Sequence, residues 1–451
     1  MKLAKELFVI PDLGNFILYA PFAHSVIEAG PGLSLLKKIQ YGNYNGEQPE
    51  LVERLKKAGI LVDEEEENCQ CECDGSGEFR PTGVTLFPTS DCNLRCTYCY
   101  GSAGESHNFM DFETARAAID FVFANAQAEK ERNPRQNEVH VGFHGGGEPF
   151  FHWRLIKQVV EYSKQKAEEA GLNLGMSSAT NGMLGKQKLE FIVANLSSVN
   201  ISFDGTEDIQ NRQRPCANGM PSYGKVLRTV RYFEERKFRY GIRSTITSGN
   251  VERMKEMLDL FTSISSLKSF HFEPVFECGR CRTTGQQEPN PELFLKRIIE
   301  AKEYAKTKGV EIYYSGGRCG SPVQTFCGAM GRNFCVTPTG SITSCYEVSL
   351  PNDPRGDIFY YGKVEKGVKI DEEKRVRLLG RTVERMPHCK DCFAKFSCAG
   401  DCPAKVYAKT HNIFDPSENT RCTVNRGVLL YELRELLKEG KQNEPKTQFQ
   451  A

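Results

Sequence analysis

The middle of the chain alternates short apolar runs with longer amphipathic runs. Strand-like runs occur at 83–89, 138–144, 174–180, 198–204, 240–247 and 269–275. Helical periodicity fills the intervals at 111–127, 152–170, 186–194, 223–236, 251–263 and 291–308. Six βα units of this length predict an α/β fold, in which a parallel sheet curls into a partial (β/α)6 TIM barrel over 83–314. The chemistry of such a fold lies at the carboxyl ends of its strands.

The start of the chain follows a different pattern. Runs at 8–11, 16–21 and 24–30 are strand-like, whereas 31–42 and 48–60 have helical periodicity. We predict a small domain over 1–67 and a linker over 68–82. Three alternating cysteines fall in the acidic connection, where they either bind a metal or belong to a flexible tether, and the tether is favoured: Cys69, Cys71 and Cys73.

Composition narrows the choice of partners. The formal net charge of +1 over 451 residues gives no general attraction to nucleic acid or to an anionic membrane. No apolar run is long enough to span a bilayer, and the first residues lack the apolar core of a signal peptide. The sequence therefore predicts a cytoplasmic protein that binds neither membrane nor nucleic acid.

Cysteine is abundant and unevenly distributed. Eighteen cysteines without an export signal favour metal or cluster ligation over disulfides. Nine of them fall between Cys319 and Cys422. We therefore predict a second metal-bearing domain over 315–431, followed over 432–451 by the end of an amphipathic helix and a tail.

Directly after the first predicted strand, three cysteines follow one another at a C-x3-C-x2-C spacing: Cys92, Cys96 and Cys99. A loop of this length can wrap three thiolates around one corner of an iron-sulfur cube, which leaves one iron open. On spacing alone, a zinc site completed by His107 is the alternative. The spacing and the aromatic Tyr98 resemble the signature of the radical SAM enzymes. This resemblance implies a 4Fe-4S cluster whose open iron binds S-adenosylmethionine (SAM), and whose reduced form cleaves SAM to a 5'-deoxyadenosyl radical.

Polar residues follow the later strands. The turn after the second strand resembles the GGEP motif of the same family, which contacts the methionine amino group, and contains Gly145, Gly146, Gly147 and Glu148. By the same resemblance, four further residues at or near strand ends would hold the ribose and the methionine carboxylate: Asn181, Ser202, Asp204 and Arg243. Together with Tyr98 these residues form the predicted SAM site. Ordinary strand-end capping is the alternative for each of them.

The cysteine spacing of the last third resembles the SPASM extension of radical SAM enzymes, which binds two auxiliary 4Fe-4S clusters. The resemblance implies an outer cluster held by Cys389, Cys392, Cys398 and Cys422. It also implies an inner cluster held by Cys327, Cys345 and Cys402. The motif does not fix a fourth inner ligand. We favour Cys319, with Cys335 or an open iron as alternatives. Together with the SAM-binding cluster at Cys92, Cys96 and Cys99, the chain would bind three 4Fe-4S clusters.

The SPASM resemblance implies a peptide or protein substrate. The first domain is similar to PqqD-like winged-helix domains, which hold the leader segment of a precursor peptide as an added strand. The combination predicts a maturase of a ribosomally made peptide that forms a thioether crosslink, with flavodoxin or ferredoxin as the electron donor. Carbon-carbon or carbon-oxygen crosslinking, epimerisation and formylglycine formation remain alternatives. So do a small-molecule oxidase and a non-catalytic iron-sulfur carrier.

Three further residues are candidates for catalysis. In sulfatase-maturing relatives a carboxylate follows the cysteine that matches Cys345 and serves as a base, whereas here Tyr346 follows, with Glu347 after it. This departure disfavours formylglycine formation, although Tyr346 can exchange a proton. Cys278 and Cys281 follow the sixth strand. The alternative roles for them are a hydrogen donor, an adventitious ligand and a structural pair.

Overall fold

The computed structural model describes residues 1–30, 33–63, 78–417 and 419–443. The tether cysteines Cys69, Cys71 and Cys73 and the tail after 443 lie outside these residues. Strands and helices are numbered below in chain order.

The N-terminal part contains a small antiparallel sheet. Its elements are β1 (Lys2–Leu3), β2 (Phe8–Asp12), β3 (Asn15–Ala20), β4 (Ser25–Ala29), α1 (Ser34–Gln40), α2 (Pro49–Lys57) and β5 (Leu61–Val62). The sheet has the order β2-β3-β4, and β1 pairs with β5. Leu13 and Gly14 join β2 to β3 with φ of 46° and 86°, the sign that a tight hairpin turn with right-handed twist requires. The predicted three strands and two helices lie where expected, and β1 and β5 are additional.

The central part is a parallel sheet covered by helices. Its strands are β6 (Gly83–Leu86), β7 (Glu138–Phe143), β8 (Asn173–Thr180), β9 (Ser198–Ser202), β10 (Tyr240–Ile246), β11 (Ser269–Pro274) and β12 (Glu311–Tyr313). Its helices are α3 (Phe112–Arg132), α4 (Trp153–Ala170), α5 (Lys186–Asn195), α6 (Glu207–Gln213), α7 (Tyr223–Glu235), α8 (Met254–Ile264), α9 (Cys281–Thr284) and α10 (Pro291–Thr307). All six predicted βα units are present, whereas α6, α9 and β12 are not in the sequence-based prediction. The predicted α/β fold is confirmed.

The C-terminal part continues this sheet. Its elements are β13 (Cys335–Val336), β14 (Ser341–Thr343), α11 (Gly356–Phe359), β15 (Tyr360–Val364), β16 (Val368–Ile370), α12 (Glu372–Leu379), α13 (Lys395–Cys398), α14 (Pro403–Thr410) and α15 (Arg421–Asn443). β13 pairs in parallel with β6, and the remaining strands follow antiparallel, so that the sheet runs from β12 through β6 to β16. The cysteine-rich part is therefore built onto the edge of the first barrel strand. Within the described chain, no helix has the length and apolar character to cross a membrane.

Successive residues of the strands point alternately to the core beneath the helices and to a polar barrel interior. In β7, Val139, Val141 and Phe143 are buried in the core that the helices cover. The residues between them face the other way, and His140 shares a 3.1 Å hydrogen bond with Ser177 of β8. This period of two leaves one face of the sheet free for polar chemistry.

Candidate active site

The loop that carries Cys92, Cys96 and Cys99 is held through its backbone. Arg95 donates to the carbonyl oxygens of Cys92 at 2.7 Å, Leu94 at 2.9 Å and Gly104 at 3.1 Å. These bonds close the loop upon itself. The amides of Leu94 and Ala103 donate to the sulfur atoms of Cys92 and Cys99, both at 3.4 Å. Such N–H···S contacts are typical of cysteines that ligate iron-sulfur clusters, where they tune the potential.

A second segment, residues 278–286, packs over this loop and is called the clasp below. Arg280 of the clasp is buried and donates to the carbonyl oxygens of Cys96 at 3.0 Å and Ala103 at 2.8 Å, while its amide donates to Cys99 at 2.9 Å. Gly279 has φ of 52°, and a Cβ on it would lie 2.3 Å from the carbonyl oxygen of Cys99. Arg280 also donates to the Glu105 carboxylate at 2.8 Å. No sequence pattern indicates Arg280, because all these partners lie far away in the chain and most of them are backbone atoms.

The predicted glycine turn lies against the same loop. A Cβ on Gly147 would lie 2.3 Å from the carbonyl oxygen of Asp91, and the amide of Glu148 donates to that oxygen at 2.9 Å. A Cβ on Gly101 would meet the backbone of Gly146 at 3.1 Å. The turn therefore needs glycine for close backbone packing.

Glu148 ties the glycine turn to the end of β8. Its carboxylate accepts from the amide of Asn181 at 2.7 Å, the hydroxyl of Thr180 at 3.0 Å and the amide of Phe150 at 3.3 Å. Burial raises the pKa of Glu148, and these hydrogen bonds oppose the rise. The Asn181 side chain reaches back to the cluster loop, where it lies 3.5 Å from the sulfur of Cys92. Glu148 and Asn181 thus position the loop in this structure.

Tyr98 and Asp204 form a buried pair. The Tyr98 hydroxyl donates to Asp204 at 2.5 Å and accepts from Arg214 at 2.6 Å. Asp204 also accepts from the Gln213 amide at 2.8 Å and from the Thr245 N–H at 3.1 Å. Both candidate SAM ligands are therefore engaged within the protein. No sequence pattern indicates Arg214, whose guanidinium completes this hydrogen-bond network.

Ser202 and Arg243 stand side by side in the barrel interior. They are paired in register between β9 and β10. The Arg243 side chain is exposed although it lies inside a strand, so its guanidinium faces open space within the barrel. A planar guanidinium in this position is suited to a bidentate contact with a carboxylate.

Tyr346 lies in the barrel interior beside Thr85 and His144. Its hydroxyl is 3.4 Å from the Thr85 hydroxyl, and its ring lies 4.7 Å from the imidazole of His144. Burial, together with the positive charge of Arg243, lowers the pKa of His144 to about 4. His144 is therefore neutral near pH 7.

His107, the candidate fourth ligand of a zinc site, is largely exposed, and its Nδ1 lies 2.9 Å from Asp91. Among the described residues, no group of three or more His, Cys, Asp or Glu side chains converges on a point that could hold a single metal ion. Cluster ligands stand further apart than the ligands of one ion, because each thiolate of a cube binds a different iron.

The four cysteines of the predicted outer cluster lie together. One cavity is lined by Cys389, Cys392, Cys398 and Cys422. Each interacts electrostatically with others of the set. Four buried or half-buried thiols around one cavity form a donor set that fits a 4Fe-4S cluster.

The three cysteines of the predicted inner cluster also approach one another. Cys345 interacts electrostatically with Cys402 and with Cys327, and Cys402 interacts with Cys327. Cys319 lies elsewhere, in an apolar cluster with Ile17 of β3 and Leu429 of α15. The structure does not bring Cys319 to the inner three, so its ligation stays a prediction that this geometry does not support.

The remaining candidate cysteines are buried. Cys335 lies in β13 in register with Thr85. Cys278 and Cys281 sit in the clasp, where the Cys281 thiol lies 3.8 Å from the carbonyl oxygen of Phe276. Cys278 interacts electrostatically with Glu347, and thus lies between the first cysteine loop and the C-terminal cysteines.

Comparison with known proteins agrees with the predicted family and fold. Residues 86–264 match the Radical SAM superfamily. The chain is 23% identical over 340 residues, 71% of this chain and 89% of the relative, to the cysteine-type anaerobic sulfatase-maturating enzyme of Clostridium perfringens. Among solved structures, the fold is similar to that of a His-tagged anSMEcpe with bound AdoMet, with a TM-score of 0.64, 20% identity, and coverage of 80% of this chain and 96% of the other.

A second solved structure of similar fold covers more of the chain. Streptococcus suis SuiB bound to S-adenosylmethionine aligns with a TM-score of 0.52 and 14% identity, over 93% of this chain and 99% of the other. Residues 86–264 of the chain are therefore a radical SAM domain, and the protein is an enzyme. The predicted resemblance to that family is confirmed, whereas the number of clusters and the role of each site residue stay predictions.

Proposed function

We propose that this radical SAM enzyme oxidatively modifies a ribosomally made precursor peptide and forms a thioether crosslink from a cysteine sulfur to a carbon atom. One observation carries the proposal: the C-terminal cysteines adjoin the first cysteine loop. β13 pairs with β6, Gly279 packs on Cys99, and the neighbouring Cys278 interacts with Glu347. A second redox site so close to the first suits a net oxidation of the substrate.

When bound, SAM and the cluster at Cys92, Cys96 and Cys99 supply a 5'-deoxyadenosyl radical, and auxiliary clusters supply an electron acceptor. The chain's own residues would bind and orient the reactants. The exposed guanidinium of Arg243 is placed to bind the methionine carboxylate, and Ser202 beside it is placed to bind the ribose. Glycines 145–147 bring the backbone close to the cluster loop.

Thioether formation defines what else the site must do. The peptide loses one hydrogen atom and, in addition, one proton and one electron. The proton requires an acceptor and the electron requires an acceptor site. Tyr346, which lies between Thr85 and His144 in the barrel interior, is the candidate that we propose for proton exchange.

The N-terminal part is suited to hold a peptide. Its sheet has β2 and β4 as edge strands, and Val9 of β2 is exposed. An extended leader segment can pair with such an edge through main-chain hydrogen bonds. We propose that this part recognises the leader of the precursor peptide, and that flavodoxin or ferredoxin supplies the reducing electron.

The experiment is anaerobic incubation of the reconstituted enzyme with SAM, a reductant and the cysteine-containing peptides encoded beside its gene. The expected product has lost two hydrogen atoms, retains its sulfur and resists alkylation at one cysteine. Mass spectrometry of the intact and digested peptide measures all three properties. SAM cleavage that proceeds without any change in such peptides would count against the proposal.

Formylglycine formation is the second candidate, because the clostridial relative is named a sulfatase-maturating enzyme. The carboxylate expected directly after Cys345 is displaced by one residue, to Glu347. The two candidates differ in the fate of sulfur, since conversion of a cysteine to formylglycine removes it. A sulfatase-type cysteine peptide included in the same assay therefore separates them.

A further inference from the structure

One buried amide group beside the predicted outer cluster lacks an acceptor within the protein. Asn425 lines the cavity that is also lined by Cys389, Cys392, Cys398 and Cys422. Asn425 is 1% exposed, and its Nδ2 donates no hydrogen bond to any residue that the structure describes. Buried N–H groups almost always have an acceptor, so this orphaned donor indicates that a group in the cavity accepts from it.

The helix that carries Asn425 explains its position. Cys422 and Asn425 are three residues apart in α15, and residues at this spacing lie on one face of a helix. Cys422 is a predicted ligand of the outer cluster. The amide of Asn425 therefore lies about one helical turn from a predicted ligand, on the same face of α15.

The oxygen end of the Asn425 amide is held on the side of the barrel. The buried Tyr314 donates from its hydroxyl to Oδ1 of Asn425 at 2.7 Å. A Cβ on Gly316 would lie 2.1 Å from the same oxygen, so the chain closes around it. Because the oxygen and the nitrogen of an amide point apart, Nδ2 is directed away from Tyr314 and toward the cavity. This orientation also suits the charge of the cavity, since thiolates attract an N–H donor and repel a carbonyl oxygen.

The other polar side chains that line the cavity, apart from the cysteines, are engaged or exposed. Lys395 is buried, but its ammonium group pairs with Glu6 at 2.7 Å. His388 and Arg426 are exposed to solvent. Among the described residues around this cavity, Asn425 is therefore the buried side-chain donor that remains available to a bound group.

We propose that the side-chain amide of Asn425 donates a hydrogen bond to a sulfur atom of the outer auxiliary cluster and thereby raises its reduction potential. The inference rests on the auxiliary clusters of the proposed function. Hydrogen bonds to the sulfur atoms of a cluster help to set its potential. A donor stabilises the reduced cluster more than the oxidised one, because the reduced cluster carries one more negative charge. Asn425 would make the outer cluster a better acceptor for the electron that crosslinking releases.

The test uses the full chain with the three cysteines of the first loop replaced by Ala, so that only the auxiliary clusters contribute. This background chain should hold about eight irons after anaerobic reconstitution. Replacing Cys392 and Cys398 by Ala should lower the iron content to about four, and the electron paramagnetic resonance signal that is lost identifies the outer cluster.

Asn425→Leu in the background chain removes the donor while nearly keeping the volume of the side chain. A redox titration followed by electron paramagnetic resonance should show a lower potential for the outer cluster and an unchanged potential for the inner one. A second readout detects the contact itself. Asparagine labelled with ¹⁵N in its side chain should give a ¹⁵N coupling to the reduced outer cluster in pulsed electron paramagnetic resonance, and Asn425→Leu should abolish it.

Tyr314→Phe is the matched control. It also removes one hydrogen bond of Asn425 from the same buried place, but it leaves the N–H donor present. The ¹⁵N coupling should therefore persist in Tyr314→Phe, and the potential of the outer cluster should shift less than in Asn425→Leu.

Three outcomes would overturn the inference. They are an unchanged potential in Asn425→Leu, equal shifts in Asn425→Leu and Tyr314→Phe, and a background chain without ¹⁵N coupling. The last result would mean that the amide is satisfied elsewhere, as by a water shared with Oδ1 of Asp401, which is also buried without a partner among the described residues. None of these three results touches the proposed function. An iron content that does not fall when Cys392 and Cys398 are replaced would instead remove the outer cluster, and with it both the inference and the proposed electron acceptor.

Discussion

Two sites of three cysteines lie side by side in this protein and are built in different ways. Cys92, Cys96 and Cys99 fall within eight consecutive residues. Arg95 and the clasp hold their loop by bonds to its backbone. Cys327, Cys345 and Cys402 come from three separate segments, and they meet only when the C-terminal part folds onto β6.

Because the two sites are built differently, different contacts maintain their geometry. The geometry of the first loop is set locally, so a few close contacts decide whether its thiolates point to one place. The inner site depends on long-range packing and on buried charges such as Glu273, which joins β11 to residues of the C-terminal part. The two sites should therefore respond to different substitutions.

The sharpest separation of the two sites is expected from Cys92→Ala. Loss of one of three thiolates should abolish SAM cleavage, because the remaining two leave the cube incompletely held. The C-terminal cysteines should keep their clusters, so that replacing all three loop cysteines lowers the iron content from about twelve to about eight per chain. Chromatography of 5'-deoxyadenosine and chemical assay of iron and sulfide measure the two effects. Retained SAM cleavage would contradict the assignment of the SAM-binding cluster to this loop.

Gly279→Ala should damage the first site while sparing the second. The new Cβ would lie 2.3 Å from the Cys99 carbonyl oxygen and 2.4 Å from that of Tyr100. The cluster loop must shift to avoid it, and a displacement of about 1 Å near reacting groups can cost about 100-fold in rate. SAM cleavage is again the measurement.

Gly285→Ala is the control for this change. Gly285 has φ of 69°, similar in sign to the 52° of Gly279, yet a Cβ there would meet nothing within 4 Å. The backbone strain is thus shared, and only the clash differs. Equal losses in both variants would mean that strain, and not the contact with the loop, is responsible.

The sequence was sufficient for the parts of the fold that repeat. The period of the apolar residues alone predicts the six βα units, and each unit lies within a few residues of its predicted place. The strand Glu311–Tyr313 was missed because three residues carry no periodicity. The pairing of Cys335–Val336 with β6 was missed because no local pattern encodes which distant strand a short segment joins.

The candidate site divides in the same way. Spacing identified the cysteine loop and the glycine turn, because their ligands or contacts are close in sequence. Arg280 and Arg214 were missed, since each acts on groups more than a hundred residues away. Tyr98 and Asp204 were predicted as SAM ligands, yet the structure pairs them with each other. Glu347 was noted only as a departure from a motif.

Glu273→Gln should weaken the junction between the two sites. Glu273 is buried and accepts from Arg421 at 2.8 Å, with Lys405 at 3.6 Å. Removing the charge leaves the buried Arg421 with Asp401, 2.8 Å away, as its remaining carboxylate partner among the described residues. The free energy of unfolding should therefore fall by about 3 kcal/mol, the lower end of the cost of breaking a buried ion pair. Urea denaturation followed by fluorescence of Trp153, the single tryptophan, measures this in the barrel.

The effect of pH provides a check on the same residue. Burial favours a raised pKa for Glu273, but the charges of Arg421 and Lys405 and the hydrogen bond with His271 outweigh it and hold the pKa well below its usual range. Its stabilisation is therefore present above the unfolded pKa of about 4.3 and is lost as the pH falls through the lower folded pKa. Glu252→Gln, at the exposed pair with Arg297, should cost less than about 1 kcal/mol. Equal costs at the two positions would contradict a buried junction.

The smallest effect is expected for the ion pair that joins the N-terminal sheet to the C-terminal part. Arg434 of α15 pairs with Asp12 of β2 at a partly exposed position, so Arg434→Gln should cost less than about 1 kcal/mol. Ile10 of the same strand is buried against Leu429 and Leu433, and Ile10→Ala should cost about 2–5 kcal/mol. Urea denaturation followed by circular dichroism compares them. If Arg434→Gln were the costlier change, charge and not apolar packing would hold the N-terminal sheet to the half of the molecule that carries the auxiliary cysteines.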